Sequence, residues 1–525
     1  MTQSRLHAAQ NALAKLHEHR GNTFYPHFHL APPAGWMNDP NGLIWFNDRY
    51  HAFYQHHPMS EHWGPMHWGH ATSDDMIHWQ HEPIALAPGD DNDKDGCFSG
   101  SAVDDNGVLS LIYTGHVWLD CAGNDDAIRE VQCLATSRDG IHFEKQGVIL
   151  TPPEGIMHFR DPKVWREADT WWMVVGAKDP GNTGQILLYR GSSLREWTFD
   201  RVLAHADAGE SYMWECPDFF SLGDQHYLMF SPQGMNAEGY SYRNRFQSGV
   251  IPGMWSPGRL FAQSGHFTEL DNGHDFYAPQ SFLAKDGRRI VIGWMDMWES
   301  PMPSKREGWA GCMTLARELS ESNGKLLQRP VHEAESLRQQ HQSVSPRTIS
   351  NKYVLQENAQ AVEIQLQWAL KNSDAEHYGL QLGTGMRLYI DNQSERLVLW
   401  RYYPHENLDG YRSIPLPQRD TLALRIFIDT SSVEVFINDG EAVMSSRIYP
   451  QPEERELSLY ASHGVAVLQH GAHSGYWVNI ISGGTTDQQR TRDPRHSSPF
   501  TTFNNMQCSF PPDNVMWKLN CGQRR

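Results

Sequence analysis

The sequence predicts an all-β protein built as a five-bladed β-propeller followed by a C-terminal β-sandwich. Five short aromatic and β-branched runs, each entered through a polar turn, begin at residues 50, 108, 170, 225 and 289. A repeat of about 60 residues that is rich in strands and turns favours one four-stranded blade per unit. Beyond residue 351 the pattern changes to alternating apolar strands without helices, which favours a sandwich.

Smaller features place the individual elements. A second motif follows the first three runs, beginning at Ser73, Ser137 and Ser192. In the sandwich, alternation predicts that one face of a strand carries Leu422, Leu424, Ile426 and Ile428. The predicted divisions are an N-terminal helical segment (1–21), the propeller (22–325), a linker (326–345), the sandwich (346–470) and a divergent, poorly ordered tail (471–525).

Composition narrows the class of protein. The chain has 44 Lys and Arg against 62 Asp and Glu, a net charge of −18. Such an acidic surface argues against binding to nucleic acid or anionic membranes. The seven cysteines are scattered without a CxxC pair, and the N-terminus lacks the apolar stretch of a signal peptide. We therefore expect a cytoplasmic protein with reduced thiols.

Three acidic residues stand out because each lies about ten positions before one of the aromatic runs: Asp39, Asp161 and Glu215. If the blades share one register, all three carboxyl groups face the same central funnel. Pro40 and Gly42, which follow Asp39 closely, fix it rigidly, as suits a nucleophile. Arg160 is expected to keep Asp161 ionised, and the apolar neighbours of Glu215 suit a proton donor. Glycoside hydrolysis needs such a division of labour between carboxyl groups.

The motifs around these acids resemble those of glycoside hydrolase family 32, the invertases and other β-fructosidases. The matching blocks are WMNDPNG at 36–42, FRDP at 159–162 and WECPD at 214–218, in that order. The resemblance covers roughly residues 22–470 and is closest to bacterial intracellular sucrose hydrolases. It implies a five-bladed propeller, a sandwich, and hydrolysis of sucrose to glucose and fructose without metal or cofactor. Sucrose 6-phosphate is the alternative substrate, and short fructans are possible further ones.

The resemblance also implies a role for each residue. Asp39 would be the nucleophile, Glu215 the acid/base catalyst, and Asp161 the stabiliser of the transition state. For a retaining pair, the carboxyl groups of Asp39 and Glu215 should lie about 5–5.5 Å apart. The implied substrate-binding residues are Trp36, Met37, Asn38, Gln55, Trp63, Phe98, Ser99, Arg160, Tyr277 and Trp309.

Three alternatives compete with this interpretation. Eight histidines between His51 and His81 could form a metal site, although no HExxH spacing occurs. A non-catalytic sugar-binding protein would keep the aromatic residues but would not need three acids. Other five-bladed glycosidases, acting on arabinan or xylan, also use three acids but are not expected to carry both the WMNDPNG and WECPD blocks. Cys216 has no evident partner base and is expected to pack behind Glu215.

Overall fold

The structure is a computed structural model that describes residues 2–476. Most of the predicted tail, residues 477–525, lies outside the described residues. The chain begins with helix α1 (Thr2–Glu18), as the apolar spacing predicts. Ala9 and Leu13 on this helix pack against Ala34 and Ile84 of the first domain. In the described part of the chain, no helix is long and apolar enough to cross a membrane.

Residues 35–330 form five sheets of four or five strands each within the described residues, all antiparallel except for one parallel pair. The first sheet contains β1 (Gly35–Phe46), β2 (Arg49–His57), β3 (His67–Ser73) and β4 (Trp79–His81). The second contains β5 (Gly96–Asp104), β6 (Leu109–Trp118), β7 (Ile128–Ser137) and β8 (Glu144–Leu150). The third contains β9 (Phe159–Glu167), β10 (Thr170–Lys178), β11 (Gly184–Ser193) and β12 (Glu196–His205). The fourth contains β13 (Met213–Leu222), β14 (Gln225–Gln233), β15 (Gly249–Met254), β16 (Ala262–Gln263) and β17 (Thr268–Glu269). The last contains β18 (Tyr277–Leu283), β19 (Arg289–Trp294), β21 (Arg317–Ser322) and β22 (Lys325–Pro330), while β20 (Trp309–Ala310) pairs with β1 instead.

The predicted repeats match particular strands. Each aromatic run is the second strand of its sheet, namely β2, β6, β10, β14 and β19. Alternating apolar residues on these strands are buried between neighbouring sheets, for example Leu111 and Tyr113 on β6. The three Ser-led motifs lie at the ends of the third strands β3, β7 and β11. The sheets are therefore successive copies of one unit.

The first strand of every sheet carries one extra residue at the same place. The pairing of first and second strands shifts by one between Met37 and Pro40, Phe98 and Gly100, Arg160 and Lys163, Glu215 and Asp218, and Tyr277 and Gln280. Such bulges bend the strand and re-aim its side chains. Asp161, Cys216 and Ala278 adopt the left-handed conformation there, with φ of 67°, 47° and 50°. Glu215 precedes the left-handed residue of its bulge, so its register differs by one from that of Asp161.

Two further sheets form the C-terminal part of the chain. One contains β23 (Arg338–Val344), β24 (Arg347–Ile349), β26 (Val362–Ala369), β31 (Thr421–Asp429), β32 (Ser432–Ile437), β33 (Ala442–Arg447) and β35 (Ala466–Tyr476). The other contains β25 (Lys352–Gln356), β27 (His377–Leu382), β28 (Met386–Asp391), β29 (Arg396–Tyr403), β30 (Leu408–Pro415) and β34 (Leu457–Ser462). The alternating residues Leu422, Leu424, Ile426 and Ile428 are buried together in one core. This all-β arrangement is consistent with a propeller followed by a sandwich.

The boundaries between the domains differ from the expected ones. Strand β22 pairs along its whole length with β21, so the first domain runs to Pro330 rather than to residue 325. Strand β23 pairs with β35 and belongs to the second domain. The connection is thus short and contains a 3₁₀ helix, His332–Leu337. Strand β35 continues to Tyr476, beyond the expected end at residue 470, because it pairs with both β23 and β26.

Buried ion pairs join the two domains. His29 of the first domain contacts Asp429 and Glu434 of the second, each at 2.8 Å. Arg317 on β21 contacts Glu434 at 2.7 Å and Asp271 at 3.0 Å. All of these side chains are fully buried. The position of the sandwich on the first domain is therefore fixed by directed contacts as well as by apolar packing.

Candidate active site

Four of the five bulges of the first domain contribute residues to one cavity of about 420 Å³. Its lining includes two residues from each of three first strands: Asn38 and Asp39, Phe98 and Ser99, Arg160 and Asp161. Glu215 from β13 completes the group. Side chains that a regular strand would send to opposite faces reach the cavity together because the bulges re-aim them.

Asp39 is held on both carboxyl oxygens. Its Oδ1 accepts a hydrogen bond from Asn38 Nδ2 at 3.0 Å, and its Oδ2 accepts one from Ser99 Oγ at 2.6 Å. Only 9% of the residue is exposed. Burial raises the pKa of Asp39, these two donors lower it, and the charge of Glu215 raises it further. The carboxyl group is therefore rigid, poorly solvated and close to another acid.

Asp161 lies beside Asp39, and Cys216 contacts both of them. The backbone N–H of Cys216 donates to Asp161 Oδ2 at 2.9 Å, and its thiol lies 3.4 Å from Asp39 Oδ2 and 3.5 Å from Asp161 Oδ2. Burial and the charge of Glu215 raise the pKa of Asp161 to about 8, although Arg160 opposes the shift. Burial and the nearby carboxylates also raise the pKa of the Cys216 thiol, which keeps it protonated. Cys216 thus packs between the acids as a thiol.

Arg160 does not offset the burial of Asp161, so the pKa of Asp161 is raised rather than held low as the sequence predicts, and the hydrogen bonds of Arg160 go to other residues. Its Nε and Nη2 donate to Glu215 Oε1 at 2.9 and 2.8 Å, and its Nη1 contacts Glu130 Oε2 at 3.3 Å. Both side chains line the cavity, but the left-handed backbone of Asp161 turns its carboxyl group toward Cys216, whereas Arg160 reaches Glu215. The guanidinium therefore organises Glu215.

The second oxygen of Glu215 also has partners. Its Oε2 accepts hydrogen bonds from Tyr277 Oη at 2.6 Å and Gln233 Nε2 at 2.8 Å. The expected apolar surroundings are thus only part of its environment, because four donor atoms surround this carboxylate. Glu215 is fixed in one orientation at the edge of the cavity, with 15% of its side chain exposed.

Glu130 forms the wall of the cavity beyond Arg160. It accepts a hydrogen bond from the backbone N–H of Phe159 at 2.7 Å and lies 3.3 Å from His116 Nδ1. Burial opposes its charge, but Arg160 and His116 outweigh burial and lower the pKa of Glu130 to about 2. The imidazole of His116 stacks on Phe98 with ring centroids 4.1 Å apart. This permanently charged carboxylate anchors Arg160 from behind.

Two domain models of one protein family together match both domains of the chain. The glycosyl hydrolases family 32 N-terminal domain matches residues 29–330, and the family 32 C-terminal domain matches residues 333–474. The chain belongs to glycosyl hydrolase family 32. It is a glycosidase of the β-fructofuranosidase class, as the motifs predicted.

Known family 32 proteins are similar over almost their whole length. A sucrose-6-phosphate hydrolase of Escherichia coli is 98% identical over 472 residues, which are 90% of this chain and 99% of that protein. A raffinose invertase of Escherichia coli is 67% identical over 467 residues, 89% of this chain and 98% of that protein. Among solved structures, the GH32 beta-fructofuranosidase BmSUC1 of Bombyx mori is 34% identical with a TM-score of 0.81, covering 91% of this chain and 99% of that one. A mutant of BmSUC1 has been solved in complex with sucrose.

Nine of the predicted site residues of this family 32 enzyme line the cavity. They are Asn38, Asp39, Gln55, Trp63, Phe98, Ser99, Arg160, Asp161 and Glu215. Trp36 and Tyr277 stand directly behind the lining, since the indole of Trp36 donates to Asn38 Oδ1 at 2.7 Å. Met37 and Trp309 are fully buried in apolar clusters away from the cavity lining. Trp309 packs edge-on against Tyr25, with ring centroids 5.2 Å apart.

Sequence reasoning missed several residues of the site. Gln233 ends the aromatic run of β14, and Glu130 lies on β7, a strand without a predicted functional residue. Phe246 and Trp298 line the cavity from connections between strands. Their neighbours in the sequence carry no motif. The sequence signal for Gln233 lies in the repeat itself, because the second strands β2, β6, β10 and β14 all contribute residues to the cavity.

The clustered histidines have structural partners. His51 and His70 share a hydrogen bond of 3.0 Å, His56 bonds to the carbonyl of Trp36 at 2.7 Å, and His67 bonds to that of Pro65 at 2.9 Å. Burial lowers the pKa of His51 and His56 to about 4. In the part of the chain that the structure describes, no group of three His, Cys, Asp or Glu side chains is placed to hold a metal ion.

Proposed function

We propose that the five sheets of residues 22–330 are the blades of a five-bladed β-propeller and that residues 338–476 form the sandwich. The five similarly placed bulges, four of which contribute residues to one cavity, support this arrangement. So does the parallel pairing of β20 with β1, because it joins a strand from the last unit to the first. A ring closed in this way places the first strand of every blade around one axis.

We propose that the enzyme hydrolyses sucrose to glucose and fructose with retention of configuration. The observation that carries this proposal is the group of three carboxyls, Asp39, Asp161 and Glu215, in one cavity, with Arg160 bound to Glu215. Retaining glycosidases need a nucleophile and an acid/base catalyst on opposite sides of the scissile bond. The Bombyx mori relative solved with sucrose supports the choice of sugar.

In the first step, Asp39 attacks the anomeric carbon of the fructosyl unit as the bond to the glucosyl oxygen breaks. Glu215 donates a proton to that oxygen, and a fructosyl ester forms on Asp39. The nearby charge of Glu215 raises the pKa of Asp39 and of Asp161, because like charges repel at close range. Asp161 would bind fructose hydroxyls and stabilise the oxocarbenium-like transition state.

In the second step, Glu215 takes a proton from water, the water oxygen attacks the anomeric carbon, and Asp39 is released. Arg160, Tyr277 and Gln233 keep Glu215 in place through both proton transfers. Asn38 and Ser99 hold the two oxygens of Asp39, which limits its rotation before attack. The proposed steps use only side chains of this chain and the water that is consumed. We expect the enzyme to act in the cytoplasm.

The charge of the cavity favours unphosphorylated sucrose. Its lining contains the carboxyl groups of Asp39, Asp125, Glu130, Asp161 and Glu215. The lining also contains Arg160 and Lys178, and the guanidinium of Arg160 already contacts Glu130 and Glu215. A cavity lined by more carboxyl groups than basic side chains repels a phosphate dianion.

Sucrose 6-phosphate is the second candidate substrate. The specific observations in its favour are the name of the 98% identical relative and the presence of Lys178 in the lining. The raffinose invertase at 67% identity makes raffinose a third substrate to test. Its leaving group is larger than that of sucrose 6-phosphate. These alternatives share the same fructosyl chemistry and differ only in the leaving group.

The test is the initial rate of fructose release from sucrose, sucrose 6-phosphate and raffinose, with Asp39→Asn as the blank. We expect faster turnover of sucrose and a loss of several orders of magnitude in Asp39→Asn, which is nearly isosteric. The released fructose should first carry the β configuration, as seen by NMR. Near wild-type activity in Asp39→Asn, or release of the inverted anomer, would refute the mechanism. A strong preference for the phosphorylated sugar would instead establish the second candidate.

A further inference from the structure

The segment between β14 and β15, residues 234–248, lies between the active-site cavity and the sandwich. It is called the wall loop below. It begins directly after Gln233, the residue that donates to Glu215 Oε2. Near its end, Phe246 lines the cavity and is 8% exposed, with its ring centroid 5.9 Å from that of Tyr277. The wall loop therefore carries part of the surface that a substrate meets.

Two arginines of the sandwich contact the wall loop. Arg412 on β30 donates from Nε to Asn244 Oδ1 at 2.8 Å and from Nη2 to the carbonyl of Arg243 at 3.1 Å. The guanidinium of Arg396 on β29 lies 3.8 Å from the ring centroid of Tyr240. Arg396 is itself fixed, because it donates to Ser413 Oγ and to the carbonyl of Ser413, both at 2.8 Å.

The first domain also contacts the loop. The backbone N–H of Tyr242 donates to Glu269 Oε1 at 3.1 Å, and Tyr242 Oη donates to the carbonyl of Phe267 at 3.2 Å. Asn244 Nδ2 donates to the carbonyl of Gly273 at 3.0 Å. The ion pair between Arg245 and Glu299 is exposed, with 51% and 70% of the two side chains accessible. Exposed pairs of this kind contribute little to stability. Asn244 links these contacts to the sandwich, because its carbonyl accepts from Gln247 Nε2 at 2.9 Å and its side chain bonds to both Gly273 and Arg412.

We propose that Arg412 and Arg396 are positioning residues that hold the wall loop, and with it Phe246, in the conformation that completes the substrate cavity. The sandwich would then serve the reaction indirectly, by ordering one wall of the site before substrate binds. Ordering a flexible loop when the substrate binds costs free energy and weakens binding. A loop that is already ordered avoids this cost. This inference rests on the proposed hydrolysis of sucrose.

The experiment compares Arg412→Met, Asn244→Ala and the double variant with the wild type on sucrose. The matched control is Arg387→Met, because Arg387 lies on the same sheet and covers Trp400 and Tyr460 without contacting the wall loop. We expect KM to rise about two- to ten-fold in both single variants, the cost of ordering a few side chains on binding. kcat should change by less than about two-fold, since the catalytic carboxyls are untouched. The double variant should lose little more than either single variant, because both remove the same contact.

A second measurement does not depend on activity. Trypsin should cut after Arg243 or Arg245 faster in Arg412→Met than in the wild type and in Arg387→Met. Unchanged KM together with unchanged cleavage would overturn the inference, as would equal effects in the Arg387→Met control. If Arg412→Met does not fold, Asn244→Ala and Arg396→Gln carry the same test. If the wild type fails to hydrolyse sucrose, the proposed function is wrong, whereas the cleavage rates still decide whether the arginines hold the loop.

Discussion

At the scale of single residues, the orientation of Glu215 depends on contacts from three different sheets. Arg160 on β9, Gln233 on β14 and Tyr277 on β18 all donate to its carboxylate. A general acid needs a fixed position as much as a suitable proton affinity, because proton transfer occurs only at hydrogen-bond distance. The three donors therefore favour Glu215 as the residue that faces the leaving oxygen.

The variant Glu215→Gln separates the acid role from a structural one. It keeps the shape of the side chain but cannot donate a proton to the glucosyl oxygen. We expect kcat on sucrose to fall by about 10²–10⁴-fold, the usual contribution of general acid–base catalysis. With a fructoside whose leaving group needs no protonation, formation of the fructosyl ester should fall far less. Burst kinetics on both substrates measure this difference.

The control for this variant is Glu210→Gln, which changes an exposed glutamate on the loop before β13. It should leave both rates unchanged. Equal losses on the natural and the activated substrate in Glu215→Gln would contradict the acid role and would point to a defect in folding or binding.

The sequence motifs located the three acids but not the partner of Arg160. The dipeptide Arg160-Asp161 looks like an ion pair in the sequence, yet its guanidinium bonds to Glu215 and Glu130. Both residues reach the cavity because of the bulge, and the left-handed backbone of Asp161 turns the two side chains toward different partners. Which side chains meet across blades is a tertiary property, and no spacing in one strand encodes it.

At the scale of elements, the bulges decide which side chains reach the cavity. The second strands were predictable because aromatic and β-branched runs alternate between polar turns. The one-residue shifts in the first strands were not, since a shift of register leaves composition and periodicity almost unchanged. The X-Pro pairs at Asp39, Asp161 and Cys216 were the available signal, because proline is tolerated in a sheet mainly at bulges and edges.

The pairing of β20 with β1 can be tested through Gly311. This glycine has φ of 83°, and a Cβ there would lie 2.0 Å from the carbonyl oxygen of Met37. Gly311→Ala should therefore displace β1 immediately before Asn38 and Asp39. We expect a loss of about 3 kcal/mol or more in stability, as for other severe backbone clashes, and a lower kcat. Thermal unfolding and sucrose turnover measure the two effects.

The matched control is Gly324→Ala in the hairpin between β21 and β22. Its φ is 75°, but a Cβ there meets nothing within 4 Å. Only the left-handed backbone is penalised, by about 1–2 kcal/mol, and turnover should be unchanged. Equal effects of the two variants would show that backbone strain alone, and not the contact with β1, explains the loss at Gly311.

At the scale of the whole molecule, the two domains are joined by a buried charged network. The carboxylate of Glu434 on β32 accepts from His29, Arg317 and the backbone N–H of Leu315. The sequence indicated two domains from the change of strand pattern, but nothing in it identified these residues as partners. They are separated by more than a hundred positions and lie in no motif. Burying a charged side chain costs free energy unless a partner compensates its charge. Removing one member of this network should therefore destabilise the whole domain interface.

His29 makes this interface dependent on pH. Burial opposes its charge, but hydrogen bonds to Asp429 and Glu434 outweigh burial and raise its pKa from 6.5 to about 9. A histidine with a raised pKa stabilises the folded state fully below its unfolded value, and this stabilisation is lost as pH rises through the folded value. The contribution should therefore be complete near pH 6 and mostly gone above pH 9. A shift of this size corresponds to roughly 3 kcal/mol.

The measurement is the difference in melting temperature between the wild type and His29→Gln, followed from pH 6 to pH 10. Taking the difference removes other groups that titrate in the same range, such as Asp161 with its pKa of about 8. We expect the wild type to be clearly more stable at pH 6 and the two curves to converge above pH 9. A difference that stays constant with pH would mean that His29 is neutral in the folded protein and acts only as a hydrogen-bond donor. Under that outcome the interface would contain an uncompensated carboxylate, and Asp429→Asn should then stabilise the protein, whereas a charged His29 predicts that it destabilises it.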